Sequence, residues 1–116
     1  MSNGPLVQGT LTALADGTRR AVVDLLSVEP RRASDIASAL SLTPQAMSRH
    51  LRVLRRSGLI AEKGIEEDAR VRIYHLRKEP FRELRDWLDG VESFWIAELS
   101  SFRDHIDKRQ KQGTPK

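Results

Sequence analysis

The stretch "TPQAMSRHLRVLRR", Thr43 to Arg56, carries four arginines and no acid. Thr43-Pro44 is a strong helix start, a capping hydroxyl followed by proline at the first helical position, where its missing N–H is no loss. Ser57-Gly58 is the matching stop. Within this span Met47, Leu51 and Leu54 recur at four and three residues and form the expected buried stripe, with Ala46, His50 and Val53 beside it. Gln45, Ser48, Arg49, Arg52, Arg55 and Arg56 recur at the same spacings on the other side. They align as one exposed ridge of like charge.

Charge counting shows that this ridge is where the excess sits. Residues 1–42 hold four acids and four bases, 59–80 five of each, and 81–116 seven of each. The formal net charge of +4 is therefore Arg49, Arg52, Arg55 and Arg56. Like charges within two turns repel unless something negative docks against them, and the natural counterpart is a polyanion.

The rest of the composition bounds the possibilities. A chain of 116 residues builds one modest core rather than two ordinary domains. Hydrophobic content of 39% with 31% charged residues is that of a folded protein. No window has the run of about 18 apolar residues of a membrane span, and no export signal opens the chain, so no membrane partner and a cytoplasmic location are expected. Without cysteine there is no disulfide, thiolate metal site or thiol nucleophile. No cofactor is expected.

Upstream, "LVQGTLTALA" puts Leu6, Val7, Leu11 and Leu14 on one helical face, and Asp16 reads as the cap of a second helix, "GTRRAVVDLLS", burying Val22, Leu25 and Leu26. Glu29-Pro30-Arg31 breaks the pattern. Ser34 reads as the cap of a short third helix with Ile36, Ala37 and Leu40 inward. A short helix, a tight link at Ser41-Leu42 and a helix with a basic ridge make a helix-turn-helix over residues 34–57. Arginine bonds guanine in bidentate fashion, glutamine bonds adenine, and serine bonds base edges or phosphate. Gln45, Ser48, Arg49 and Arg52 are therefore the expected base readers, and Thr43, Arg55 and Arg56 the positioning contacts. The first turn of the helix, with its free N–H groups, suits a phosphate. "LIAEKGI" and "VRIYHLR" read as a hairpin over residues 59–77, with "EEDAR" between them. Its acidic tip, Glu66, Glu67 and Asp68, leaves Arg70 and Arg72 as the wing's candidate DNA contacts. The fold class is mainly α with a small antiparallel β-hairpin.

"ALADGTRRAVVDLL", "ASDIASALSLTPQAMSRHLRVLRRSGLI" and "ARVRIYHL" resemble, in that order and spacing, the ArsR-type winged-helix transcriptional repressors. The resemblance covers roughly residues 6–107. Its most specific piece is "MSRHLRVLRRSGLI", followed by "LADGTRR", with Gly17 where that family often has proline; Ala69 stands where a glycine before arginine is usual. It implies a dimeric repressor that binds a palindromic double-stranded DNA operator. Metal-sensing members use cysteines near the position of "RRASDIA", absent here, or paired Asp/His ligands on the last helix. That helix offers Asp104, His105 and Asp107 with no second histidine following, and adjacent residues do not converge on one ion, so no metal site is expected. A small-molecule effector is left open.

After Pro80, Leu84, Leu88, Val91, Trp95, Leu99 and Phe102 continue a seam opened by Phe81 and closed by Ile106, widened by Trp87, Phe94 and Ile96. A helix over residues 80–108 with so long a stripe is expected to pair with the same stripe of a second subunit and with the first helix through Leu6 and Leu11. Residues 1–108 make the single expected domain, and the polar tail 109–116 is expected to be disordered. An enzyme is disfavoured: Ser48 and His50 lie two apart on a helix and diverge, and no phosphate-cradling loop is present. The alternative is a winged-helix module for protein contact or non-specific nucleic-acid binding.

Overall fold

The computed structural model describes residues 4–65 and 68–113. In chain order it contains α1 (Gly4–Leu14), α2 (Gly17–Val28), β1 (Arg31–Arg32), α3 (Ala33–Leu40), α4 (Pro44–Arg56), β2 (Ile60–Ile65), β3 (Asp68–Leu76) and α5 (Lys78–Gly113). The chain forms two compact units, one up to Leu84 and one from Arg85 onward.

The first unit closes around Val22 and Leu26 of α2, Ile36 of α3, Met47, Leu51 and Leu54 of α4, then Leu59, Ile60 and Tyr74, with Ala13 of α1. Asp16 caps α2 as expected, its carboxylate accepting from the Arg19 N–H at 3.0 Å. The "LADGTRR" motif has a local purpose at the same corner. Arg19 Nε donates to the Ala13 carbonyl at 2.7 Å and Arg20 Nη1 to that of Leu14 at 2.7 Å, satisfying acceptors that the end of α1 leaves open. On α1 the inward positions are Val7, Thr10 and Ala13, while Leu6 and Leu11 are exposed. Sequence pattern hid this face because Thr10 is polar; its hydroxyl donates to the Leu6 carbonyl at 3.1 Å, so it can be buried at little cost.

Two further expectations are corrected. The cap of α3 is Arg32, not Ser34, and it makes no side-chain capping bond. Arg31 and Arg32 form a two-residue strand paired with Tyr74 and Ile73, and this extended backbone passes directly into the helix, placing Ser34 inside its first turn. The hairpin thus becomes a three-stranded antiparallel sheet in the order β1-β3-β2. Glu62 lies opposite Tyr74 and Gly64 opposite Arg72; beyond Gly64 the register shifts, pairing Ile65 with Asp68. Asp68, Ala69 and Arg70 are therefore strand rather than loop, and Glu66 and Glu67 lie outside the described residues.

Both helices of the helix-turn-helix end by the same device. Ser41 follows α3 with φ 56°, and the Leu42 N–H reaches back to the Ala37 carbonyl at 2.9 Å. Gly58 follows α4 with φ 80°, and the Leu59 N–H reaches the Leu54 carbonyl at 3.0 Å. A left-handed residue turns the chain and its neighbour closes the last turn, which sets the path from α3 into α4 and from α4 into β2.

α5 starts at Lys78, buries Pro80 and packs Phe81 against the core of the first unit. It continues to Gly113, past the end expected at 108.

Candidate nucleic-acid interface

The geometry of α4 follows from its two faces. Met47, Leu51 and Leu54 are buried in the core, which turns Gln45, Ser48, Arg49, Arg52, Arg55 and Arg56 outward, all exposed. Thr43 caps the helix, its Oγ1 accepting from the Ala46 N–H at 3.1 Å. The Met47 N–H goes to the Thr43 carbonyl at 2.9 Å, and Pro44 has no N–H. Among the described residues this leaves the Gln45 N–H as the free backbone donor of the first turn, with the Thr43 hydroxyl proton beside it. A phosphate at this end would find two donors, fewer than a bare helix terminus offers.

The four arginines are not equivalent. Arg55 Nη1 donates to Glu62 Oε1 of β2 at 2.8 Å, whereas Arg49, Arg52 and Arg56 have no acidic partner among the described residues. Glu62 in turn faces Tyr74 across the hairpin. Burial pushes the Tyr74 phenol above its ordinary range, and the negative charge of Glu62 pushes it further. Sequence reading missed this pairing because Glu62 belongs to a strand whose side of the sheet is set only by tertiary packing.

Between α3, α4 and β3 lies an open cleft of about 380 Å³. Ala37, Met47 and Leu51 contribute its apolar surface, and Ser34, Ser48, Arg52, Arg55 and Tyr74 its polar groups. Ser34 thus shares a concave surface with three of the ridge residues.

The wing places Arg72 in the open, its guanidinium lying over Gly64; a Cβ at Gly64 would come within 2.9 Å of Nη1. The side chain of Arg70 lies outside the described residues. His50 is half-buried and turned away from the ridge, its Nδ1 3.8 Å from Asp16 Oδ2. It belongs to the packing between α4 and the start of α2. The Arg19 N–H holds the Asp16 carboxyl below its ordinary range, with the charges of Arg19 and His50 adding to that.

Of the other candidate residues, Leu6, Leu11, Leu88, Val91, Trp95, Leu99 and Phe102 are exposed, and Leu84 is half-buried. Among the described residues no cluster of three histidine or acidic side chains is placed to hold a metal ion. No described helix is long and apolar enough to cross a membrane.

Residues 14–63 match a helix-turn-helix domain family. The chain is 35% identical over 95 residues to the HTH-type transcriptional regulator Rv2034 of Mycobacterium tuberculosis, covering 82% of this chain and 83% of that one. Its fold is similar to the crystal structure of an ArsR family transcriptional regulator, RHA00566, with TM-score 0.71 and 33% identity over 78% of this chain and 96% of the other. An ArsR-like transcriptional regulator from Rhodococcus sp. RHA1 shares the fold at TM-score 0.78, with 21% identity over 90% of this chain and 95% of the other.

Proposed function

The chain belongs to the ArsR family of helix-turn-helix transcriptional regulators, and from that membership we propose that it is a dimeric repressor reading an inverted-repeat operator through α4. One observation carries this reading: Gln45, Ser48, Arg49 and Arg52 stand exposed along one ridge of a helix that bears no acid. Arg49 and Arg52 present bidentate donors suited to guanine, Gln45 suits adenine, and Ser48 suits either a base edge or phosphate. Arg56, Arg72, the Thr43 hydroxyl and the Gln45 N–H hold the backbone and so fix the register. Arg70 is assigned the same wing role as Arg72.

Two such helices related by a two-fold axis enter successive major grooves, so the half-sites lie about 10 bp apart or a small multiple of that. Bound across a promoter in the cytoplasm, the dimer represses by occlusion. No metal is needed for binding.

The test is selection from a pool of random duplexes near physiological salt with EDTA present, run on wild type and Arg49→Ala. Wild type should enrich an inverted repeat, and Arg49→Ala should lose preference at one symmetric position at a cost of about 1–3 kcal/mol there. A pool that yields no motif while both proteins bind weakly and equally would mean that the arginines are a sequence-blind grip or a protein-contact surface.

A further inference from the structure

Arg55 looks from sequence like one more phosphate contact, yet its Nη1 is already engaged by an acid. Glu62 Oε1 accepts from Nη1 at 2.8 Å, a charge-assisted bond at its ordinary length. Both side chains are only partly exposed, 41% for Arg55 and 32% for Glu62. The carboxylate is held in place from behind, since β2 fixes Glu62 opposite Tyr74, a residue of the buried core. A carboxylate and a phosphate oxygen compete for the same planar fork of donors. Glu62 therefore competes with a backbone phosphate for Arg55, at the end of α4 nearest β2.

We propose that Glu62 is an affinity-determining residue that reserves Arg55 and removes it from the sequence-independent phosphate grip. The effective grip of each chain is one phosphate smaller than its count of ridge arginines. This rests on the reading of α4 as the DNA-contacting helix. It goes beyond that reading in assigning a function to an acid outside the helix and in taking Arg55 out of the contact set. The consequence is chemical economy in the unspecific complex. Binding to random duplex is almost wholly electrostatic, so withholding one cation weakens it directly, while the base readers Arg49 and Arg52 stay free.

The salt dependence of random-duplex binding reads this out, because each phosphate neutralised contributes about 0.9 to the slope of log K against log salt. Four proteins are compared: wild type, Glu62→Gln, Arg55→Ala and the double variant, each first checked for an unchanged melting curve. Glu29→Gln, which changes charge by the same amount away from α4, is the control. Glu62→Gln should steepen the slope by about 0.9 for each chain bound and gain about three-fold per chain in affinity between 200 and 50 mM salt. Arg55→Ala alone should leave the slope unchanged, and in the double variant the gain from Glu62→Gln should vanish. If Glu62→Gln has no effect, or its gain persists without Arg55, or Glu29→Gln matches it, Glu62 acts only as general charge and the proposal is overturned. Because the readout uses random duplex, it decides about Glu62 even if the pool selection finds no operator and the repressor reading fails. Absence of any duplex binding by wild type would overturn both.

Discussion

Ser41 adopts φ 56° and ψ 45°, the left-handed conformation that costs an L residue roughly 1–2 kcal/mol. Glycine there removes the clash of Cβ with the backbone but gives the unfolded chain more freedom, worth about 0.5–1 kcal/mol. Ser41→Gly should thus stabilise by under about 1 kcal/mol, and Ser41→Val should destabilise by more than that, both measured by equilibrium urea unfolding. Gly58 has the opposite sign. A Cβ there meets only Arg77 Nη1 at 3.5 Å and Pro80 Cγ at 3.9 Å, so space is not the obstacle. Its φ of 80° is, and Gly58→Ala should cost about 1 kcal/mol or more in the same assay. Asp16 gives a pH signature. Its folded pKa is lowered, first by the Arg19 N–H and then by the Arg19 and His50 charges, so its contribution to stability is complete above the ordinary carboxylate value near ~4. That contribution is lost as pH falls through the lower folded value. The melting temperature of wild type should exceed that of Asp16→Asn at pH 5–7, and the gap should close in acid; a gap constant down to pH 2 would contradict the assignment.

Within α4 the two faces separate stability from recognition. Leu54 is fully buried, and Leu54→Ala should cost about 2–5 kcal/mol, whereas Arg52→Ala should stay within about 0.5 kcal/mol and still lose operator affinity. Unfolding curves and duplex titrations on both variants check this split. The start, the buried stripe and the stop of this helix were legible in sequence because each is local: the Thr43 cap, Pro44, the apolar residues spaced three and four apart, and Gly58. The same locality explains Asp16 at the head of α2. What escaped reading depends on partners distant in sequence. Arg31 and Arg32 carry no strand pattern and are extended because β3 has a free edge for them. That pairing in turn moves the start of α3 ahead of Ser34, the better capping residue by type. Glu62 facing Arg55, and His50 facing Asp16, likewise arise from the docking of one element on another. Sequence placed the ridge correctly but could not say which of its arginines was free.

From Arg85 onward α5 is a helix whose apolar side chains are left open: Trp95 and Leu99 are each 58% exposed and Phe102 62%. A contiguous apolar stripe of this kind on an isolated chain favours self-association, because a second copy offers the same stripe in return. The whole helix, 36 residues and so about 54 Å long, gives that contact ample length. Sedimentation at micromolar concentration should therefore show a dimer for wild type and a monomer for the double variant Leu99→Glu, Phe102→Glu, since two carboxylates per chain would have to be desolvated to keep the contact. The consequence for DNA follows from counting phosphates. A dimer neutralises twice as many as one chain, so the monomeric variant should bind operator with about half the wild-type dependence of log K on log salt. If instead the variant is monomeric yet keeps the full salt dependence and affinity, two ridges are not being held together by α5. A wild type that sediments as a monomer would remove the two-fold axis, and with it the reason to expect an inverted repeat.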